Sequence, residues 1–489
     1  MSQSVKQDTF GWNLEQSYVR SLPERFYTVT DPQPVKDPHL LLLNDELAKE
    51  LGLNPDAVTD EVVGVLSGNA FPKGALPFSQ SYAGHQFGQF TMLGDGRAIM
   101  IGEQITPEGK RLDLQLKGSG RTDYSRGGDG RAALGPMLRE YLISEALYAM
   151  KIPANRALSI TLTGEPVFRQ TVQPGAILTR VADSHLRVGT FQFAAQFGDD
   201  GDVKKLADYA ILRHDPDLEE QPEKYHHFFQ RVMDRQAKLM ADWLHVGFIH
   251  GVMNTDNMSI SGESIDFGPC AFLDDYDPAT VFSSIDREGR YAYGNQPYIA
   301  SWNLARLAET LISLIHDDQD EAVKLLQKDL EQFATLYQNY WLEGMRRKLG
   351  LKEAKDNDRS LFNDLLQWME EHHADFTNTF RSLSNGKEPE GTDTALREWI
   401  AHWHQRLADE GASVDNAHAQ MKQVNPVVIP RNHLVEEALQ KAETDSDMTF
   451  FRDLLQAVRQ PYDENELTKR FTTPPPPDFT DGYQTFCGT

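Results

Sequence analysis

The fold is decided by the run His250-Gly251-Val252-Met253-Asn254-Thr255-Asp256-Asn257, followed nine residues later by Asp266-Phe267-Gly268. Both Asn257 and Asp266 carry side-chain oxygen donors. Mg²⁺ or Mn²⁺ takes a few hard oxygen ligands and completes its shell with phosphate oxygens, which this pair suits. Upstream, Val232, Leu239, Trp243 and Leu244 fall near one helical stripe, and Gly247 is a good C-terminal stop. A long apolar-faced helix therefore delivers the chain into the loop.

The spacing resembles a protein-kinase catalytic loop, which runs His-Arg-Asp, then an Asn five residues after the Asp, then Asp-Phe-Gly beyond a short hairpin. His250 falls on the His, Asn257 on the Asn, and Asp266-Phe267-Gly268 on the metal-binding triplet. The position of the kinase base is Val252, which accepts no proton. The nearest carboxylate in the loop is Asp256. Two readings follow. The chain binds nucleotide without catalysis, or its base acts from a different place on a different phosphate. Asp-Phe-Gly alone is three common residues at a turn, so the weight rests on the combination.

Further out, Leu112-Asp-Leu-Gln-Leu-Lys117 alternates strictly, a half-buried strand pattern. Lys117 faces away from the leucines. It is either a solvated strand end or a phosphate lysine held by a carboxylate of the next helix, which is expected from Pro136. Glu140 lies off that helix's apolar stripe and Glu145 within it, so Glu140 is the preferred partner. Gly94-Asp95-Gly96-Arg97 and Gly127-Gly128-Asp129-Gly130 are turn-forming loops that could also face phosphate. Asp95 would repel phosphate unless it points away. Arg180 and Arg187 could receive phosphate bidentately, or sit as ordinary surface or ion-paired arginines. The pairs His226-His227 and His372-His373 lack zinc-type spacing.

Lysine and arginine number 48 against 73 acidic residues, a formal charge of −25. Such a surface repels nucleic acid and anionic lipid, so neither is an expected partner, and a bound nucleotide needs a local basic pocket. No apolar run approaches the ~20 residues of a membrane span, and the N-terminus has no signal or transit pattern. A cytoplasmic, monomeric protein is expected. Only Cys270 and Cys487 are present, which excludes a disulfide scaffold and a four-cysteine zinc site.

The order of elements predicts an α+β, kinase-like two-lobe fold. Residues 1–75 form an N-terminal extension packed on the core, 76–181 a strand-rich nucleotide-binding lobe with one helix, 182–470 a helical lobe, and 471–489 a flexible tail. Ser81–Phe90 reads as a loop, Leu158–Thr163 and Ala176–Val181 as a strand pair, and His250–Gly268 as a loop with a short hairpin. A short helix is expected at Leu43–Leu51, with Asn44 or Asp45 as its cap, and further helices at Tyr298–His316, Glu321–Leu349, Leu361–Thr377, Thr394–Ala408 and Leu434–Val458.

At Ser81–Phe90, Leu93-Gly-Asp-Gly-Arg97 and His250–Met258, the chain resembles the selenoprotein O family, also called YdiU, from about residue 10 to Cys487. The resemblance implies a protein adenylyltransferase that moves AMP or UMP from ATP or UTP onto Ser, Thr or Tyr hydroxyls of proteins. The nucleotide lies reversed relative to kinases. It implies Asp256 as proton acceptor and Asn257 and Asp266 as metal ligands. Nucleotide contacts come from Gly94, Gly96, Arg97, Lys117, Asp129, Gly130, Arg180, Arg187 and Asp266, with Glu140 pairing Lys117. It also implies a redox bridge from Cys487, whose only internal partner here is Cys270. The competing readings are a non-catalytic pseudokinase scaffold and a γ-phosphotransferase.

Overall fold

The computed structural model describes residues 9–480 and 482–486. A sheet-rich N-terminal part is followed by a helical C-terminal part. The nine-stranded antiparallel sheet runs in the order Tyr27–Val29, Phe78–Gln80, Ala98–Ile105, Arg111–Lys117, Val172–Ala182, Arg156–Phe168, His39–Leu43. Leu14–Glu15 and Ala132–Ala133 pair beside this path. Two strands from the first 75 residues thus form the ends of the sheet.

In the Arg111–Lys117 strand, Leu114 and Leu116 enter one apolar cluster with Ile101, Leu158 and Ile177. The opposite row, Asp113, Gln115 and Lys117, is also buried. Alternation here separates two covered faces, not core from solvent. The register sets Lys117 opposite Leu178 and Gln115 opposite Arg180. The helix Leu134–Ala149 begins two residues before Pro136 and is buried almost all round, as an interior helix must be. Its charged residues are all paired. Glu140 accepts from Lys117, Glu145 from Arg156 at 2.7 Å and Arg459 at 3.0 Å, and Arg139 donates to Glu436 at 3.1 Å.

Helical character starts at Val188. The Lys224–Val246 helix ends at Gly247 in the left-handed region, φ +75°, and packs on the helices Gln296–Ile315 and Gln319–Lys348. Asn44 caps Asp45–Glu50, its Oδ1 accepting from Leu47 N.

Four local expectations are corrected. Ser81–Phe90 is not a loop. Ala83–Gln86 and Gln89–Met92 form a separate hairpin turning through Phe87 (φ +50°) and Gly88 (φ +83°), a two-residue turn needing positive φ twice. No hairpin lies within His250–Gly268 among the described residues. The paired strands Phe248–Ile249 and Ala271–Phe272 bracket the loop instead. Leu361–Thr377 is two helices, Asp358–Glu371 and Phe376–Ser384, because Asp375 caps a new start by accepting from Asn378 N at 2.7 Å. Leu434–Val458 likewise divides into Asn432–Thr444 and Thr449–Val458 around Ser446 at φ +53°. In both cases the apolar period carries across the break because both pieces face a common core.

In the C-terminal segment, Tyr483 OH accepts from Arg139 Nη2 at 3.0 Å, and Thr485 Oγ1 donates to Pro269 O at 2.6 Å. Cys487 lies outside the described residues.

Candidate active site

The loop after Ile249 is held rigidly from several sides. His250 is buried, and Nε2 meets Ile265 O at 2.7 Å, tying the loop to the Asp266 segment. Burial pushes its pKa down, so the ring is neutral. Gly251 sits at φ +84°, and a Cβ there would meet Pro269 O at 2.4 Å. Asn254 Oδ1 accepts from Tyr291 OH at 2.7 Å and Phe87 N at 3.1 Å, and Thr255 Oγ1 accepts from His85 N at 2.7 Å.

Within this frame Val252 packs into the core, and its carbonyl accepts from Asn257 Nδ2 at 3.0 Å. With the amide nitrogen so bound, Oδ1 is the acceptor end of the Asn257 side chain. Asp256 is buried and lines the cleft, and its Oδ1 has no hydrogen-bond partner among the described residues. Its pKa is pushed up to about 6, chiefly by burial, with Arg187 opposing. A buried, unpartnered carboxylate oxygen is costly unless something uses it.

Asp266 takes the left-handed region, φ +60°, rare for a residue other than glycine and common at functional sites. Three cations converge on its carboxylate. Lys117 Nζ lies 2.8 Å and Arg180 Nη1 2.6 Å from Oδ1, and Arg187 Nη1 lies 3.0 Å from Oδ2. Although burial raises its pKa, Lys117, Arg180 and Arg187 together hold it well below the usual carboxylate range. Arg180 also donates to Gln115 Oε1, and Arg187 donates to Asp256 O at 2.7 Å while its guanidinium lies 4.6 Å above the Tyr82 ring. Neither arginine is on the surface.

These residues share a cleft of about 670 Å³ with Gly94, Gly96, Arg97, Lys117, Asp129 and Gly130, large enough for a nucleotide. Arg126, Arg131 and Arg169 also line it, so the cleft is locally basic in an acidic chain. The glycines have reasons of their own. A Cβ on Gly94 would strike the Tyr124 ring at 2.3 Å, and one on Gly130 would meet Gly120 O at 2.0 Å. Asp95 accepts from Gln80 N and Gln115 Nε2, each at 3.1 Å. Asp129 is engaged in a bidentate pair with Arg169 at 2.8 and 3.0 Å.

Sequence reasoning missed Gln115, Tyr82, Tyr124 and Arg169. Gln115 was within reach, since it shares the Lys117 face of an alternating strand. The others depend on long-range contacts. Cys270 is buried, its thiol donating to Phe267 O at 3.1 Å and its pKa pushed up to about 12 by burial. His226 Nε2 meets Asp329 at 2.6 Å, and His372 meets Trp368 O at 2.9 Å, both local roles. The described residues hold no cluster of three or more His, Cys, Asp or Glu fit for a metal, and no helix among them is long and apolar enough to cross a membrane.

Comparison with known proteins sets the class: relatives along nearly the whole chain are named protein nucleotidyltransferases. Protein nucleotidyltransferase YdiU of Bacillus cereus is 54% identical over 489 residues, 99% of this chain and 100% of the relative. That of Anoxybacillus flavithermus is 56% identical over 480 residues, 98% of this chain and 99% of the relative. The chain belongs to the family described as protein adenylyltransferase SelO, whose model matches residues 12–459.

Proposed function

We propose that this protein transfers AMP, or UMP, from a Mg²⁺- or Mn²⁺-nucleotide to Ser, Thr or Tyr hydroxyls of other proteins. On this reading it acts as a cytoplasmic monomer on a kinase-like two-lobe frame, with the nucleotide reversed in the cleft. The observation that carries the proposal is Asp256. It is the carboxylate beside Asn257 whose Oδ1 has no hydrogen-bond partner among the described residues, while the position of a kinase base, Val252, is in the core.

The acceptor O–H gives its proton to Asp256 Oδ1 as its oxygen bonds to the α-phosphorus. The bond from the α-phosphorus to the bridging oxygen breaks, and pyrophosphate leaves with that electron pair. A carboxylate with a pKa near 6 is ionised at neutral pH yet basic enough to take part. Lys117, Arg180 and Arg187 offer fixed positive charge to the phosphates, and Glu140 holds Lys117 in place.

The donor set fits a hard divalent ion: Asn257 Oδ1 and an Asp266 oxygen, without the third protein ligand of a closed cage. When bound, the ion would neutralise charge on the phosphate oxygens. The test is label transfer from ATP carrying ³²P at the α- or γ-position. Protein labelled from α alone supports the proposal. Label from γ alone indicates phosphotransfer, and nucleotide binding without transfer indicates a scaffold.

A further inference from the structure

The hairpin Ala83–Gln86/Gln89–Met92 stands outside the main sheet and is bonded to the catalytic loop, through His85 N to Thr255 and Phe87 N to Asn254. Its backbone is close to the reacting carboxylate: a Cβ on Gly84 would lie 3.1 Å from Asp256 Oδ1. Several of its outward side chains are apolar. Phe87, Phe90 and Met92 are 37%, 41% and 43% exposed, and Phe90 stacks on the equally exposed Phe197 at 6.2 Å. Large side chains grouped at one exposed place mark an interaction surface more often than chance placement does.

Behind the apolar tip the surface turns polar and basic. The His85 ring meets Trp302 edge-on at 5.2 Å, and Arg290 and Arg306 each lie 4.9 Å from the Trp302 ring. Arg306 pairs with Glu309, but Arg290 has no carboxylate partner among the described residues. A cavity of about 420 Å³ opens between His85, Phe90, Gln192 and Arg306. Gln192 is only 6% exposed, lines that cavity, and its Oε1 has no hydrogen-bond partner among the described residues. A buried acceptor left without a donor beside an apolar rim is suited to a polypeptide N–H.

We infer that this ledge seats the acceptor protein. The occupant is an extended segment with a bulky apolar side chain next to the modified hydroxyl and a carboxylate further along. The apolar side chain rests on Phe87, Phe90 and Met92, the carboxylate meets Arg290, and a backbone N–H meets Gln192. The inference rests on the proposed transfer, because it takes Asp256 as the point the hydroxyl must reach. Gly84 of the hairpin abuts Asp256, so a segment seated on the hairpin's outer edge lies next to the reacting carboxylate. A second copy of this chain is disfavoured, since two bodies of charge −25 repel.

The probe is a short serine peptide with p-benzoylphenylalanine beside the serine and an aspartate beyond it. The control replaces these flanking residues by glycine and lysine. On irradiation with the full-length protein, cross-links should fall within residues 85–92 or 290–306. Phe90→Ser and Met92→Ser should each raise the KM for α-label transfer to the probe about tenfold, a common cost of truncating an apolar anchor. Nucleotide affinity should not change. Cross-links elsewhere, no cross-links, or equal labelling of the control would each overturn the assignment. Cross-linking at the ledge with no α-label transfer would instead sink the transferase reading and leave the ledge standing.

Discussion

Lys117 Nζ lies 2.8 Å from Asp266 Oδ1 although the two residues are 149 apart in the chain. The same oxygen takes Arg180 at 2.6 Å. One carboxylate therefore carries much of the charge balance of three buried cations. A triphosphate can take over those cations, which would free Asp266 for a metal.

This balance has a directional consequence. Asp266→Asn should cut α-phosphoryl transfer more than about 100-fold, as for loss of a principal charge-stabilising group. Yet the metal-free nucleotide should bind at least as tightly, because Lys117, Arg180 and Arg187 lose an internal competitor. Fluorescence polarisation with a labelled ATP analogue in chelator reads the second effect. Weaker binding there would show that Asp266 does not compete with phosphate.

Asp256 should behave differently. Asp256→Asn keeps the side chain's size and should lower turnover by about 10² to 10⁴-fold, the range for a positioned general base. Nucleotide affinity should stay near the wild-type value. Steady-state transfer alongside direct binding separates the two, and an equal fall in both would make Asp256 a binding group.

Gly94 is set by packing. Its φ is +130°, and the added methyl of Gly94→Ala would sit 2.3 Å from the Tyr124 ring. That ring is held by Tyr124 OH, which bonds Ser81 at 2.5 Å and Thr28 at 3.1 Å. A loss of about 2 kcal/mol of stability is expected from overpacking and backbone strain. Urea unfolding with and without ATP reads it; an unchanged midpoint would show that the loop yields freely.

Stability should also fall in mild acid through His245. It is buried, donates Nε2–H to Trp341 O at 3.0 Å, and has its pKa lowered to about 3 by burial. The unfolded chain binds the proton at about pH 6.5 and the folded chain does not, so the unfolded state holds more protons between those values. The His245 contribution is thus intact above pH 6.5 and lost as pH falls below it. Between pH 7 and 5.5 the loss is about 1 kcal/mol. His245→Gln keeps a donor and should flatten that part of the urea-midpoint profile; an unchanged slope would remove His245 from the account.

Much of the candidate site was legible in the chain. The loop-to-triplet spacing brought out Asn257 and Asp266, and strand alternation separated Lys117 from Leu114 and Leu116. Helical phase favoured Glu140 over Glu145 for Lys117, and the structure pairs Glu145 with Arg156 and Arg459 instead. Less was legible where helices broke at Asp375 and Ser446, because apolar periodicity registers burial and is blind to a short capped interruption.

By itself the sequence determined local facts: which residues share a strand face and how far apart loop donors lie. Covalent geometry repeats every two or 3.6 residues, so such relations are written in spacing. Tertiary structure alone decided that both faces of the Arg111–Lys117 strand are covered and that Arg180 and Arg187 turn inward to Asp266. It also decided that Tyr124 dictates Gly94 and that an aromatic hairpin abuts Asp256. Each of those joins residues far apart in the chain, and their contact comes from packing that no local period records.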